Sequence, residues 1–153
     1  VTGSYDNTAR IWVWQGRVCL HVLRHPGNVY AVAFSSRGDE VITGCADGVV
    51  RCFAVGSGRL TRELRHDGVH PHSAHPWWVN SVASAGDVAV SGDQYGNIKV
   101  WSLAGDKAGE CVATIEHGVG EGVRGVLVLG KYLVSVSSDK HGNGKVAVRQ
   151  VSP

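Results

Sequence analysis

Four of the eight histidines fall between positions 66 and 75, in HDGVHPHSAH, and two tryptophans, Trp77 and Trp78, follow them. Neutral imidazole is a common zinc ligand and a structural site takes four ligands, so His66, His70, His72 and His75 raise the question of a metal. Their spacing, H-x3-H-x-H-x2-H with no cysteine nearby, matches no zinc pattern. A metal-binding or enzymatic module on residues 66–75, holding zinc or nickel, is therefore the alternative and not the leading reading. Other reactive patterns are missing. There is no G-x-S-x-G and no H-E-x-x-H, and Gly144-Lys145 lacks both the earlier Gly and the following Ser/Thr of a phosphate loop. The expectation is no enzyme, no catalytic residue, no cofactor and no resident metal.

The elements that would position these residues are strands. Short β-branched runs such as EVITGC, GVVRCF, DVAVSG, NIKVW and KYLVSV recur between Gly, Asp and Asn turn residues, and nothing sustains a helical period. The class is all-β. With 43% hydrophobic and 18% charged residues the chain is globular, and 153 residues suffice for one core. A net charge of +2 offers no basic stripe for nucleic acid or an anionic membrane, and no apolar run reaches spanning length. Cys19, Cys45, Cys52 and Cys111 lack C-x-x-C spacing and sit among apolar neighbours, so four buried, reduced thiols and a cytoplasmic or nuclear location are expected. A chain that begins at Val1 and contains no Met reads as a piece of a longer one.

Aligned against itself, the chain repeats. VTGSYDNTARIWVW (1–14), ITGCADGVVRCFAV (42–55) and VSGDQYGNIKVWSL (90–103) match position by position. Thr2, Thr43 and Ser91 each stand ten residues before Trp12, Phe53 and Trp101, and four residues after each hydroxyl comes a turn position, Asp6, Asp47 or Tyr95. A fourth copy, SVSSDKHGNGKVAVRQV (135–151), keeps Ser135 and Asp139 but carries Arg149 in place of the aromatic. The turn positions are spaced by 41, 48 and 44 residues, periods that mark a repeat architecture. Upstream, CLHVLRH (19–25), LTRELRH (60–66) and CVATIEH (111–117) each end in His, and HPGNVYAVAFS (25–35), HPWWVNSVAS (75–84) and GVRGVLVLG (122–130) align after them.

These residues resemble the WD40 repeat family over essentially the whole chain. The resemblance implies a β-propeller of four-stranded antiparallel blades, with repeat units at about 1–24, 25–65, 66–116 and 117–153 in one partial domain. About eleven strands, or three and a half blades, are expected against the seven of a usual ring. The remaining blades would come from flanking sequence or from self-association. The resemblance also implies a structural hydrogen-bond network of Thr2, Asp6, Trp12, His25, Thr43, Asp47, His66, His75, Ser91, Trp101, His117, Ser135 and Asp139. No copy has all four members: Phe53 cannot donate, Tyr95 replaces the carboxylate, and Arg149 replaces Trp. His66 and His75 compete for one structural position, with 67–74 an insertion between them.

The family resemblance further implies a partner-binding face at the mouth of each blade's first strand. Carried over by position, it comprises Tyr5, Asn28, Tyr30, Ala46, Trp78, Asn80, Gln94, Gly122, Arg124 and Ser138. Tyr, Trp and Arg are the side chains most enriched at binding hot spots. The competing reading packs Trp77 and Trp78 beneath the inserted loop. The expected function is a non-catalytic scaffold for a protein or peptide partner, without nucleic acid or membrane. A substrate receptor of a ubiquitin ligase is one alternative within that class.

Overall fold

Residues 40–45, EVITGC, and 49–54, VVRCFA, are buried along nearly their whole length, as strands covered on both faces must be. Residues 60–65, LTRELR, alternate instead and expose most side chains, the pattern of a strand at a rim. This contrast recurs in residues 88–93 and 97–102 against 111–116 and sets the architecture.

The computed structural model describes residues 1–66, 77–117 and 121–150. Among these residues it forms fourteen strands in four antiparallel sheets, with no helix. The first sheet contains β1 (Thr2–Gly3), β2 (Thr8–Val13) and β3 (Val18–Arg24), and the second β4 (Val29–Phe34), β5 (Glu40–Cys45), β6 (Val49–Ala54) and β7 (Leu60–Arg65). The third contains β8 (Val79–Ala85), β9 (Val88–Asp93), β10 (Asn97–Ser102) and β11 (Cys111–Glu116), and the fourth β12 (Gly122–Leu129), β13 (Tyr132–Ser138) and β14 (Gly144–Gln150). Strand order follows sequence order in every sheet. The all-β propeller reading holds, with sheets of three, four, four and three strands. The expected eleven strands are corrected to fourteen, which is the number that three and a half four-stranded blades require.

The sheets stack face to face. The first strand of each sheet packs on its predecessor: β4 on β1 and β2, β8 on β4 and β5, β12 on β8 and β9. Three apolar layers fill the gaps: Ala9, Ile11 and Leu23 against Val29, Val41 and Phe53; Ile42, Val50 and Leu64 against Val79, Val82 and Trp101; Val90, Ile98 and Val100 against Val123 and Leu133. Each fully buried aliphatic side chain contributes about 1.5–3 kcal/mol. A recurrent seat fixes the stacking. Val29, Val79 and Val123 press onto Gly3, Gly44 and Gly92 of the sheet before, and a Cβ on those glycines would lie 3.0, 2.8 and 2.3 Å from the valine side chain.

The network residues form different circuits in the four sheets. In the third, Trp101 Nε1 donates to Ser91 Oγ (2.8 Å), Ser91 Oγ lies 2.6 Å from His66 Nε2, and His66 Nδ1 faces Asp93 Oδ2 at 3.4 Å. Asp93 supplies the carboxylate that the sequence reading found missing at Tyr95. It stands two residues after Ser91 on the same strand, and side chains at i and i+2 share a face. Burial opposes ionisation of Asp93, but His66, Asn97 and the Tyr95 backbone outweigh it and hold the carboxyl below its ordinary range. His75 lies outside the described residues, as do His70 and His72.

The second sheet has Cys45 at the corresponding place. There His25 Nδ1–H donates to the Leu23 carbonyl (3.0 Å), leaving Nε2 to accept from Thr43 Oγ1 (2.8 Å), and Phe53 packs 5.3 Å from the imidazole. Asp47 takes no part in this circuit: it pairs with Arg51 (2.6 Å) and accepts from Val49 N. In the first sheet Trp12 Nε1 donates to Thr2 Oγ1 (3.0 Å) and Asp6 holds Thr8 and Arg10. In the fourth, His117 Nδ1 meets Ser137 Oγ (3.0 Å), whose hydroxyl donates to Glu121 (3.1 Å). Ser135, the expected member, has a buried Oγ with no partner among the described residues, and His117 Nε2 has none among them either. Asp139 caps its own hairpin through His141 N and Asn143, and Arg149 reaches the Glu116 carbonyl. The cysteines divide as well. Cys45 and Cys52 are buried, and burial pushes the Cys52 thiol up to about 11, whereas Cys19 is half-buried and Cys111 exposed on the outer strands β3 and β11.

Candidate partner-binding site

Strand alternation alone would send the residue after each seated valine to a fixed face of its sheet. A β-bulge intervenes. The register jumps between Val29 and Ala31, between Val79 and Ser81, and between Val123 and Gly125. Tyr30, Asn80 and Arg124 are the extra residues, one in the first strand of each of the last three sheets. A bulge bends the strand and re-aims the unpaired side chain. Because the preceding valine is locked into a glycine seat, the bulged residue is anchored at its base.

Tyr30, Asn80 and Arg124 line one hollow of about 310 Å³ together with Tyr5 and Trp78. Each sheet contributes: Tyr5 from the β1–β2 turn, Tyr30 from β4, Trp78 and Asn80 from the start of the third sheet, and Arg124 from β12. The aromatic rings run in series. Tyr5 meets Tyr30 edge-on at 5.6 Å and 86°, and Tyr30 meets Trp78 at 5.6 Å and 45°. Edge and tilted contacts at such separations are the favoured aromatic geometries. Tyr5 is 75% and Trp78 41% exposed, so large ring area faces solvent.

Arg124 closes the far wall. Its Nε donates to Ser138 Oγ at 2.9 Å, which fixes the guanidinium plane. Of the other residues assigned to this face by position, Asn28 accepts from Ala46 N (2.9 Å), and Gln94 N donates to the Trp78 carbonyl (3.1 Å). Gly122 pairs with Ser138 across β12–β13, and a Cβ there would come within 2.8 Å of the Gln94 carbonyl. Asn28, Ala46, Gln94, Gly122 and Ser138 are not among the residues that line the hollow. Trp77, adjacent to Trp78, is half-buried with its ring 5.1 Å from Tyr95. A second hollow at the opposite end of the strands, about 300 Å³, is lined by Arg37, Asp39, Glu40, Arg62 and Asp87, but Arg37 pairs with Asp87 and Arg62 with Glu40, each at 2.6 Å.

Sequence reasoning missed Asp93 and the bulges. Asp93 was readable as a carboxylate two residues beyond Ser91 on a buried strand face; the bulges leave no single-residue signature. Among the described residues, no group of three or more His, Cys, Asp or Glu side chains is placed to hold a metal ion, and no helix is long and apolar enough to cross a membrane.

Residues 17–53 match the family model described as WD domain, G-beta repeat. Over 104 residues the chain is 26% identical to autophagy-related protein 16 of Arabidopsis thaliana, covering 67% of this chain and 20% of that protein. Over 92 residues it is 33% identical to coronin-7 of Rattus norvegicus, covering 60% of this chain and 10% of that one. The chain therefore spans a minor part of the length of these relatives. Among solved structures, the computationally designed Ika4 protein superimposes with a TM-score of 0.73 at 23% identity, over 98% of this chain and 83% of the other, a likeness of fold.

Proposed function

We propose that this WD40-repeat chain is a non-catalytic scaffold that binds a protein, through a short segment of it, at the hollow formed by Tyr5, Tyr30, Trp78, Asn80 and Arg124. WD40 repeats generally mediate protein–protein interaction. The observation that carries the reading is the triple bulge, which aims one residue from each of three sheets at a common point beside exposed aromatic rings. Rings in mutual contact and a guanidinium held by Ser138 lose less freedom when a partner arrives, which favours binding. Supports for a protein partner over nucleic acid or a membrane are the near-balanced charge of +2 and, among the described residues, a single cation in the hollow. Four free cysteines suit a reducing compartment, the cytoplasm or nucleus. Self-association is a further proposed contact, supported by the apolar open face of the fourth sheet.

The test is site-directed photocrosslinking in cells. A photoreactive phenylalanine analogue replacing Tyr5 is expected to give discrete protein adducts, and the same analogue at Arg59, in the β6–β7 turn at the other end of the strands, none. The adducts should fade in Trp78→Ala. Equal adducts from both positions, insensitive to Trp78→Ala, would exclude this face.

A further inference from the structure

We propose that the hollow selects an Asp or Glu side chain of its peptide partner, with an aromatic, proline or aliphatic side chain beside it. The inference rests on the partner-binding reading above and specifies the chemistry of the bound residue. Among the described residues the lining holds three aromatic rings, one amide and one guanidinium, and no carboxylate. Arg10, Arg37, Arg51, Arg62 and Arg65 all have an acidic partner within 3.2 Å. Arg124 has none among the described residues. Its Nε is committed to Ser138 Oγ, so the Nη1–Nη2 edge is left for an incoming acceptor. Two parallel N–H donors match the two oxygens of a carboxylate. Asn80 Nδ2, in the same wall, also lacks an acceptor among the described residues.

The alternatives fit less well. Exposed aromatic rings by themselves suit an ammonium group, but a cation entering here meets the unneutralised charge of Arg124. A phosphate carries about two charges at neutral pH, and among the described residues the lining provides one cation and no lysine. The volume, about 310 Å³, is at the small end for ligand pockets, which run from roughly 300 to 1,000 Å³. One or two side chains fill it. The carboxylate goes to Arg124, and its apolar neighbour lies on Tyr30 and Trp78.

The experiment pans a random heptapeptide phage library on the 153-residue chain, in parallel with Arg124→Gln and Trp78→Ala variants matched to it by melting profile. If Trp78→Ala does not fold, Tyr5→Ala replaces it. The expected result is enrichment of an Asp or Glu next to an apolar residue, lost on both variants. The enriched peptide is then synthesised, and changing its Glu to Gln should weaken binding by about tenfold or more. Enrichment that needs the aromatic residue but shows no acidic preference and survives Arg124→Gln overturns the carboxylate inference and leaves the partner-binding reading standing. A basic consensus does the same, as does a phosphoserine replacement that binds more tightly than Glu. No enrichment, or enrichment indifferent to both variants, overturns both.

Discussion

A carboxylate in the wrong place for the repeat pattern completes the best-formed circuit in the molecule. Asp93 and the His66 side chain are fully buried, and Asp93 also accepts from Tyr95 N, Asn97 N and Asn97 Nδ2 at 2.8–2.9 Å. Asp93→Ala removes the acceptor of these part-buried donors and the carboxylate facing the buried His66, and a buried donor left without a partner costs about 1–3 kcal/mol. The variant should therefore melt well below the parent, while Asp6→Ala, at an exposed turn, should barely change the melting temperature. The pH dependence follows from the direction of the shift. The folded-state pKa of Asp93 lies below its ordinary value of 3.8. Its contribution is complete above that value and is lost as pH falls from about 4 through the folded pKa. Acid melts should show this limb in the parent and a shallower one in Asp93→Ala. Adding Tyr95→Asp should not restore stability, because Asp47 at the same repeat position bonds Arg51 and Val49 and not His25.

Between residue and sheet, the working unit is a valine seated on a glycine and followed by a bulged side chain. The repeat was legible because hydroxyl, turn and aromatic positions recur at fixed spacing, and this sufficed for fold class and for the number of blades. The glycines of TG, TG and SG were visible too, yet nothing in one chain says which valine covers each. The ten candidate face residues were chosen by position, and five of them reach the hollow because only a bulge or a turn redirects a side chain out of the pleat. Network membership failed where i, i+2 geometry outranked the repeat position, as with Asp93 and Ser137. The seat itself is testable. In Gly92→Ala the new methyl would lie 2.3 Å from Val123 Cγ1 and 2.8 Å from its Cβ, and overpacking of this kind costs about 1–3 kcal/mol. The substitution should lower the midpoint of urea unfolding, and Val123→Ala added to it should recover part of the loss. A Gly92→Ala variant as stable as the parent would mean that the third and fourth sheets are not locked at this point. Gly86→Ala, with nothing within 4 Å, is the control for space, although its positive φ of 55° carries its own strain.

Across the whole molecule the three seats define a rule that the fourth sheet breaks. Val136 occupies the position of Gly3, Gly44 and Gly92, and its register neighbours Gly125 and Val146 share its face. Leu127, Val134 and Val148 form the next row on that face, at the register positions that Val90 and Val100 hold in the third sheet, where they are covered by β12. Among the described residues nothing covers them: Val146 is 70% and Val148 63% exposed, with Leu127 at 55%. A contiguous apolar sheet face in water is a binding surface or an aggregation liability. Val136 fills the space a seated valine would need, so another sheet cannot dock in the register used inside the chain. A second copy laid face against face needs no glycine seat. The expected outcome is a mass by light scattering that rises above 16.2 kDa with concentration. Val146→Lys with Val148→Lys places two charges on the face and should return the mass to that of a single chain, with the melting temperature little changed because both side chains are already exposed. Val136→Gly tests the other half of the argument. It recreates the seat, and association that strengthens in this variant would mean that copies stack in the register of the internal sheets, and not face to face.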